Sequence, residues 1–403
     1  MDKASLRVMA LDDEPFMLKL LTHLLAELGY TSVTTWDNGH DALGCMDDPG
    51  QAPEMILLDL NMPDMDGVEF VRKLVERDYA GSLILVSGED ERVLHMAERL
   101  IQAHRVNVVG HLSKPFSLAG LARLMDRTLQ ARSAQPGAKA AYDVERLRAA
   151  ILGGELVNYY QPKVAIATRA VVGVEALVRW RHPQDGMVFP DQFIGTCEEH
   201  GLIDDLTRAV TREALLQVRA WRRAGLQLGV AINISMDNLT SVDFARFIAD
   251  EAVAAEVAPQ NIVLEVTESR LMLDQRAPLE VLTRLRMNRY RLSIDDFGTG
   301  HSSLKLLRDI PFDELKIDRN FVQDAGHDPT ARAIYDASLA LGKQLGMVVV
   351  AEGVETRDDW DLVKRTGCDL AQGYFIARPM PAEDLPAWIS AWTTDRPQQS
   401  TTS

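Results

Sequence analysis

Seven points along the chain carry side chains suited to phosphate chemistry, and they recur at a regular interval. Glu175, Asn233, Glu265, the pair Asp295–Asp296, Lys316, Glu352 and Gln372 each stand at the end of a short apolar run. Their successive gaps of 58, 32, 30, 21, 36 and 20 residues average about 33, close to one strand–helix unit of roughly 30 residues. That rhythm puts each polar side chain at the C-terminal mouth of its own strand, where barrel enzymes build their sites. Four or five carboxylates facing one mouth are costly without cations. Oxygen and amide donors with no His or Cys among them suit Mg²⁺ or Mn²⁺ rather than zinc. Because Asp295 and Asp296 adjoin, one could bridge two ions while the other completes the second. Two such ions activate a water and stabilise the leaving oxygen in phosphodiester hydrolysis. Lys316 would then orient the water or offset phosphate charge, and Glu352 would take its proton or help hold the second ion. Alternation along Val172–Trp180 places Glu175, Leu177 and Arg179 on one face.

A second constellation lies near the N-terminus. Asp12 and Asp13 follow the apolar run Val8–Leu11, and Asp59 follows Met55–Leu58. In an open α/β sheet, ligands bind beyond the carboxyl ends of the strands, so the three carboxylates would converge there. They repel one another unless a hard cation such as Mg²⁺ binds. Ser87 ends the next run and Lys114 follows the last, adding a hydroxyl and a fixed positive charge. The set suits a carboxylate that accepts a phosphoryl group.

The elements that must hold these residues can be read from the rest of the chain. At 403 residues, two or three domains are expected. Apolar residues at 46% and charged residues at 25% describe an ordinary globular protein and exclude a disordered or fibrous one. The net charge of −16 argues against a general binder of nucleic acid or anionic membrane. Cys45, Cys197 and Cys368 are odd in number and far apart, which fits a reducing compartment. With no signal peptide at the start and no run long enough to span a bilayer, a cytoplasmic protein is expected.

In the first third, apolar runs at Val8–Leu11, Met55–Leu58, Leu83–Val86 and Val106–Val109, with a weaker one at Thr31–Thr35, alternate with helical spacing such as Phe16–Leu28. This predicts a doubly wound parallel sheet over residues 1–132. Residues 133–141 have the composition of a linker. From 142 to 393 runs recur at Val171–Val174, Leu228–Ile234, Ile262–Val266, Leu292–Ile294, Leu315–Ile317, Met347–Ala351 and Leu370–Ala371, which suits a (β/α)8 barrel of the TIM type. Residues 394–403 form a polar tail. Gly153-Gly154-Glu155 reads as the end of a helix and a turn.

The N-terminal set LDDEP, LLDLNMPDMDG, LVSG and SKPF resembles the receiver domain of two-component response regulators, a flavodoxin-like fold. The resemblance implies phosphorylation of Asp59 by a sensor histidine kinase, with one Mg²⁺ at Asp12 and Asp13 and support from Ser87 and Lys114. His111 stands where that family carries a switching Tyr or Phe. It is either a smaller, titratable substitute in the coupling or a surface His at a strand end.

The second domain resembles the EAL-domain phosphodiesterases. The matching segments are Tyr160–Lys163, Glu175–Trp180, Asn233–Ser235, Glu265–Glu268, Asp295–Gly300, Lys316–Asp318, Ala351–Glu355 and Gln372–Tyr374. This implies hydrolysis of cyclic di-GMP to linear pGpG with two Mg²⁺ or Mn²⁺ ions, inhibited by Ca²⁺. Carried over, Glu175, Asn233, Glu265, Asp295 and Asp296 are metal ligands, and Lys316 and Glu352 serve the hydrolytic water. Gln372 supports the water network of the second ion. Gln161, Leu177, Arg179, Asp318 and Glu355 line the substrate, and Glu268 holds the loop after Asp296. His301 replaces a commoner aromatic in that loop. The architecture as a whole resembles receiver–EAL response regulators, which implies a homodimer or higher oligomer with no duplex nucleic acid or membrane as partner. The rival expectation is a cyclic di-GMP receptor, or a competitor for phosphoryl groups, that acts by protein contact without hydrolysis.

Overall fold

The computed structural model describes residues 3–47, 52–77, 79, 81–88, 94, 97, 100–101, 106–114, 116–118, 120–126, 142–267, 276–298 and 307–394. The expected linker, nearly all of the expected tail, Glu268 and His301 lie outside them. The chain divides into two compact units, Met1–Ala140 and Ala141–Ser403.

In the first unit, β1 (Val8–Leu11), β2 (Val33–Trp36), β3 (Met55–Asp59), β4 (Ser82–Ser87) and β5 (Asn107–Ser113) form one sheet. Its order is β2-β1-β3-β4-β5 and every neighbouring pair is parallel. This is the flavodoxin-like arrangement. The inner strands β1, β3 and β4 are buried along their whole length because both faces are covered. Met9, Leu11, Ile56, Leu58, Leu83 and Leu85 enter one core with Phe70 and Leu74. Their alternates Val8, Ala10, Leu57, Ile84 and Val86 enter the other with Leu21 and Leu25. Helix Gly67–Val75 is capped by Asp66, whose carboxylate accepts from Glu69 N at 2.7 Å. Its first residue must be small: a Cβ on Gly67 would lie 2.8 Å from the backbone oxygen of Asp59 and from Leu60 Cα.

The second unit contains β6 (Leu156–Ala165), β7 (Val171–His182), β8 (Gly186–Val188), β9 (Gly229–Ile234), β10 (Ile262–Thr267), β11 (Arg291–Phe297), β12 (Glu314–Ile317), β13 (Val348–Ala351) and β14 (Leu370–Ala371). Pairing runs β6-β14-β13-β12-β11-β10-β9-β7-β8, and a further β6–β7 pairing closes an eight-stranded barrel with β8 outside it. Six of the seven apolar runs expected as strands extend by no more than a few residues. Val171–Val174 is the exception, as β7 continues eight residues beyond it and pairs with β6 and β8. Glu175 therefore sits within its strand rather than at its end. The strand that apolar patterning misses is β6, because LVNYYQPKVA carries Asn158, Gln161 and Lys163 on buried positions and a proline between them. It runs antiparallel to both neighbours, so the barrel is not the all-parallel one.

Helices cover the outside of the barrel. In Ile203–Arg223 the buried stripe Leu206, Val210, Ala214, Val218 and Trp221 recurs at helical spacing. Helix Arg357–Thr366 starts with a reciprocal capping box between Thr356 and Asp359. Gly153-Gly154 closes helix Val144–Leu152, as expected. Among the described residues, no helix is long and apolar enough to cross a membrane.

One irregularity shapes the barrel mouth. Along β11–β12, Ile294 pairs with Leu315 and Phe297 with Ile317, so β11 holds one residue too many. Asp296 absorbs this bulge in a left-handed conformation, φ 54°, which Asp tolerates better than most residues.

Candidate active site at the barrel mouth

Lys316 is the centre of the barrel site. Its side chain is 1% exposed, and Nζ lies 2.6 Å from Glu352 Oε1, 3.0 Å from Asp295 Oδ1, 3.0 Å from Glu265 Oε2 and 3.6 Å from Glu175 Oε2. β12 is only four residues long, and Lys316 reaches the mouth because its neighbours Leu315 and Ile317 lock the strand into the core. Burial alone would strip its proton, but Asp295, Glu175, Glu265 and Glu352 outweigh that and hold the ammonium charged.

Around this ammonium the remaining groups are tied to each other. Asn233 Nδ2 donates to Glu175 Oε1 at 2.8 Å. Gln372 Nε2 donates to Glu175 Oε2 at 2.7 Å and to Gln161 Oε1 at 3.0 Å. Gln161 Nε2 in turn donates to the Ala377 oxygen at 3.0 Å. Both oxygens of Glu265 are occupied, Oε1 by Lys163 at 2.7 Å and Oε2 by Lys316. Through the bulge, Asp295, Asp296 and Glu352 each bring one oxygen within 4.8 Å of the others. Of the five expected metal ligands, two therefore share a cluster with Glu352, while Glu175, Asn233 and Glu265 gather about Lys316.

The electrostatics show a deficit of positive charge. Burial pushes Glu352 well above the usual carboxylate range, with Asp295 and Glu175 adding to it and Lys316 opposing. Burial, then Asp295 and Asp318, push Asp296 up to about 6. Glu175 is also raised, first by burial and then by Glu265. Only Glu265 is lowered, to about 2, because Lys163 and Lys316 overcome the cost of its burial. Four carboxylates on one ammonium, with Asp296 beside them and oxygen and amide donors only, fit hard divalent cations. Among the described residues of the barrel, Asp295, Asp296 and Glu352 bring carboxylate oxygens close enough together to hold one.

Of the expected substrate contacts, Gln161 joins this centre through Gln372. Arg179 is buried; NH1 donates to the Val178 oxygen at 2.8 Å, and the guanidinium lies 5.8 Å from the Tyr159 ring and 5.1 Å from the Phe189 ring. Leu177 is half-buried opposite Tyr159. Asp318 caps helix Arg319–Asp324 and accepts from Asn320 N at 2.9 Å. Glu355 is exposed, and its N–H donates to Asp359. Sequence reasoning missed Tyr159 and Phe189 as faces for Arg179, and assigned no role to Lys163. The signal for Lys163 was available: a lysine at an inward position of a barrel strand.

In the first unit, Asp12, Asp13 and Asp59 each bring one oxygen within 4.8 Å of the others. Lys114 Nζ lies 2.8 Å from Asp12 Oδ2 and 2.7 Å from Asp59 Oδ2. Ser87 is fully buried at the end of β4. Burial raises Asp59 above its usual range even though Lys114 and the Asn61 N–H pull it down. A raised, partly enclosed carboxylate at the end of β3, beside two further acids and a lysine, has the oxygen donors that fit a hard cation. His111 sits half-buried on β5 beside Leu85 of β4.

Both units match known families. The EAL domain model covers residues 144–379 and the response regulator receiver domain model covers residues 8–126. The chain belongs to the EAL-domain family and carries an N-terminal receiver domain, the composition of a response regulator. It is 32% identical over 381 residues to the cyclic di-GMP phosphodiesterase RocR of Pseudomonas aeruginosa, covering 94% of this chain and 97% of that one. It is also 41% identical over 245 residues to the bifunctional diguanylate cyclase/cyclic di-GMP phosphodiesterase MucR of the same organism, spanning 60% of this chain and 36% of MucR. The solved phosphodiesterase of MucR in complex with c-di-GMP superposes with a TM-score of 0.58 at 41% identity, covering 60% of this chain and 98% of that one.

Proposed function

We propose that this response regulator hydrolyses cyclic di-GMP to linear pGpG at the barrel mouth with two divalent ions, Mg²⁺ or Mn²⁺, and that phosphorylation of Asp59 modulates the rate. The observation that carries it is the ring of carboxylates about Lys316: Glu175, Glu265, Asp295 and Glu352 all lie within 3.6 Å of one ammonium. Such a ring is under-neutralised without further cations, and the relative matching nearly the whole chain is named a cyclic di-GMP phosphodiesterase.

Glu175, Asn233, Glu265 and Asp295 would hold one ion, and Asp295 with Asp296 the other. Divalent ions held there would supply Lewis acidity for the scissile phosphate and for a nucleophilic water at neutral pH. The chain's own groups do the rest. Glu352 accepts the proton of the attacking water, and Lys316 holds Glu352 and offsets charge on the phosphate. Gln372 and Asn233 keep both oxygens of Glu175 directed. Arg179, gripped by Val178 and its two aromatic neighbours, presents a cation to the dianionic substrate, with Gln161, Leu177, Asp318 and Glu355 as further contacts.

The reading includes a receiver over 1–132, a linker at 133–141, a barrel domain at 142–393 and a tail at 394–403. It also includes a cytoplasmic protein, a sensor histidine kinase as phosphodonor, one Mg²⁺ at Asp12, Asp13 and Asp59, and self-association of the barrel. Purified chain incubated with cyclic di-GMP and Mg²⁺ should release pGpG, and Glu175→Ala should abolish this. Retained binding without product would replace the enzyme by a receptor. A small phosphodonor should change the rate in the wild type and leave Asp59→Asn unaffected.

A further inference from the structure

Lys163 is the one lysine of β6, and it is buried in the barrel between two carboxylates. Nζ lies 2.7 Å from Glu265 Oε1 and 2.9 Å from Glu314 Oε1, with the three side chains 5%, 0% and 2% exposed. Glu314 opens β12, and its other oxygen lies 3.9 Å from Arg291, which opens β11. Lys163, Gly173, Gly229, Arg291, Glu314 and Val348 line a cavity of about 350 Å³. Four of them are first or near-first residues of their strands, so the cavity lies at the end of the barrel opposite the mouth. Lys163 thus reaches from that end to the underside of a carboxylate whose other oxygen faces the mouth.

The two lysines on Glu265 differ in kind. Lys316 is shared among four carboxylates and sits on the mouth side, where an ion would compete with it. Lys163 meets Glu265 through the other oxygen, Oε1, and bonds Glu314 as well. From this, the geometry points to Lys163 as a positioning residue: by occupying Oε1 of Glu265 it turns Oε2 toward the mouth and keeps that oxygen for the cation. Partners behind a ligating group commonly change metal affinity by about 10–100-fold when removed. This inference rests on the reading of Glu265 as a metal ligand.

The test separates positioning from simple structural support. Mn²⁺ binding is measured by calorimetry without substrate, and unfolding midpoints are measured in chelator, for the wild type, Lys163→Met, Glu314→Gln and the double variant. Lys163→Met strands two buried carboxylates, so it should lose both stability and Mn²⁺ affinity. The double variant removes the ammonium together with Glu314's charge, and replacing buried ion pairs by neutral groups is often tolerated. It should regain most of the stability while still binding Mn²⁺ about 10–100-fold more weakly than the wild type. Glu314→Gln keeps Lys163 against Glu265 and should bind Mn²⁺ as the wild type does. Wild-type affinity in the double variant overturns the assignment, as does an equal loss in Glu314→Gln. If the wild type itself binds no Mn²⁺, the metal reading of Glu265 falls and this inference falls with it.

Discussion

Asp295 and Asp296 are consecutive residues, yet each brings a carboxylate oxygen within 4.8 Å of the other's and of Glu352's. In a regular strand, neighbours point to opposite faces. The β11 bulge removes that constraint by turning Asp296 left-handed, with its N–H bonded to Asp295 Oδ1 at 3.0 Å. A pair of adjacent acids is thereby brought into one cluster with Glu352.

Asp296→Asn should separate charge from backbone strain at this bulge. Asn tolerates the left-handed region about as well as Asp and removes a carboxyl raised to about 6, so the unfolding midpoint at neutral pH should not fall while pGpG formation falls by at least about 100-fold, beyond the range typical of supporting groups. Asp296→Val should lose activity as well and also unfold earlier, since a β-branched residue there costs about 1–3 kcal/mol. Equal midpoints for the two variants would remove the strain argument.

Gly353, next to Glu352, takes φ 65°, and a Cβ there would lie 2.3 Å from the Cβ of Arg319. Gln323 Nε2 also donates to its oxygen at 3.0 Å. Gly353→Ala should therefore shift Glu352 from Lys316, lowering kcat more than it raises KM, with a stability loss of about 1–3 kcal/mol. Steady-state kinetics and chemical denaturation check both.

In the receiver unit, Gly67 packs its Cα against the backbone of Asp59 and Leu60. A methyl group at that point must move Asp59 or the start of its neighbouring helix. Gly67→Ala should slow labelling of Asp59 by a small phosphodonor by at least several-fold, as read by intact mass, while pGpG formation without donor stays unchanged.

Glu213 gives a dependence on pH that is independent of both sites. Burial against β6 raises its carboxyl above the ordinary 4.5, although the Asn158 N–H at 3.1 Å pulls the other way. A carboxyl raised in the fold disfavours the folded state once ionised, so the wild type loses stability as pH rises from about 4.5 through the folded value. Glu213→Gln keeps an acceptor for Asn158 and lacks that loss. Its unfolding midpoint should match the wild type in acid and exceed it at neutral pH; an identical difference at both pH values would sink the idea.

Much of the barrel site was legible in one dimension, because strand ends repeat. A residue near the end of an apolar run must lie near a rim, whatever the details of packing: Asn233, Glu265 and Lys316 fall within the last three residues of their strands, and Glu352 and Gln372 just past theirs. The receiver pocket was legible for the same reason, with Asp12, Asp59, Ser87 and Lys114 at or just past the ends of four buried strands. Apolar patterning failed at β6, where the inward positions are polar and the hydrophobic signal is absent.

Sequence by itself determined which acids, amides and lysines stand near strand ends and that both clusters are rich in oxygen donors, since residue type and strand rhythm are local properties. Tertiary structure decided the rest. Closure by an antiparallel strand carried Gln161 and Lys163 under the mouth, from more than a hundred residues away from Glu265 in the case of Lys163. The bulge brought Asp296 round to join Asp295 and Glu352. Which oxygen of each carboxylate is already taken depends on ammonium groups from distant strands, and no local pattern encodes a pairing between residues so far apart.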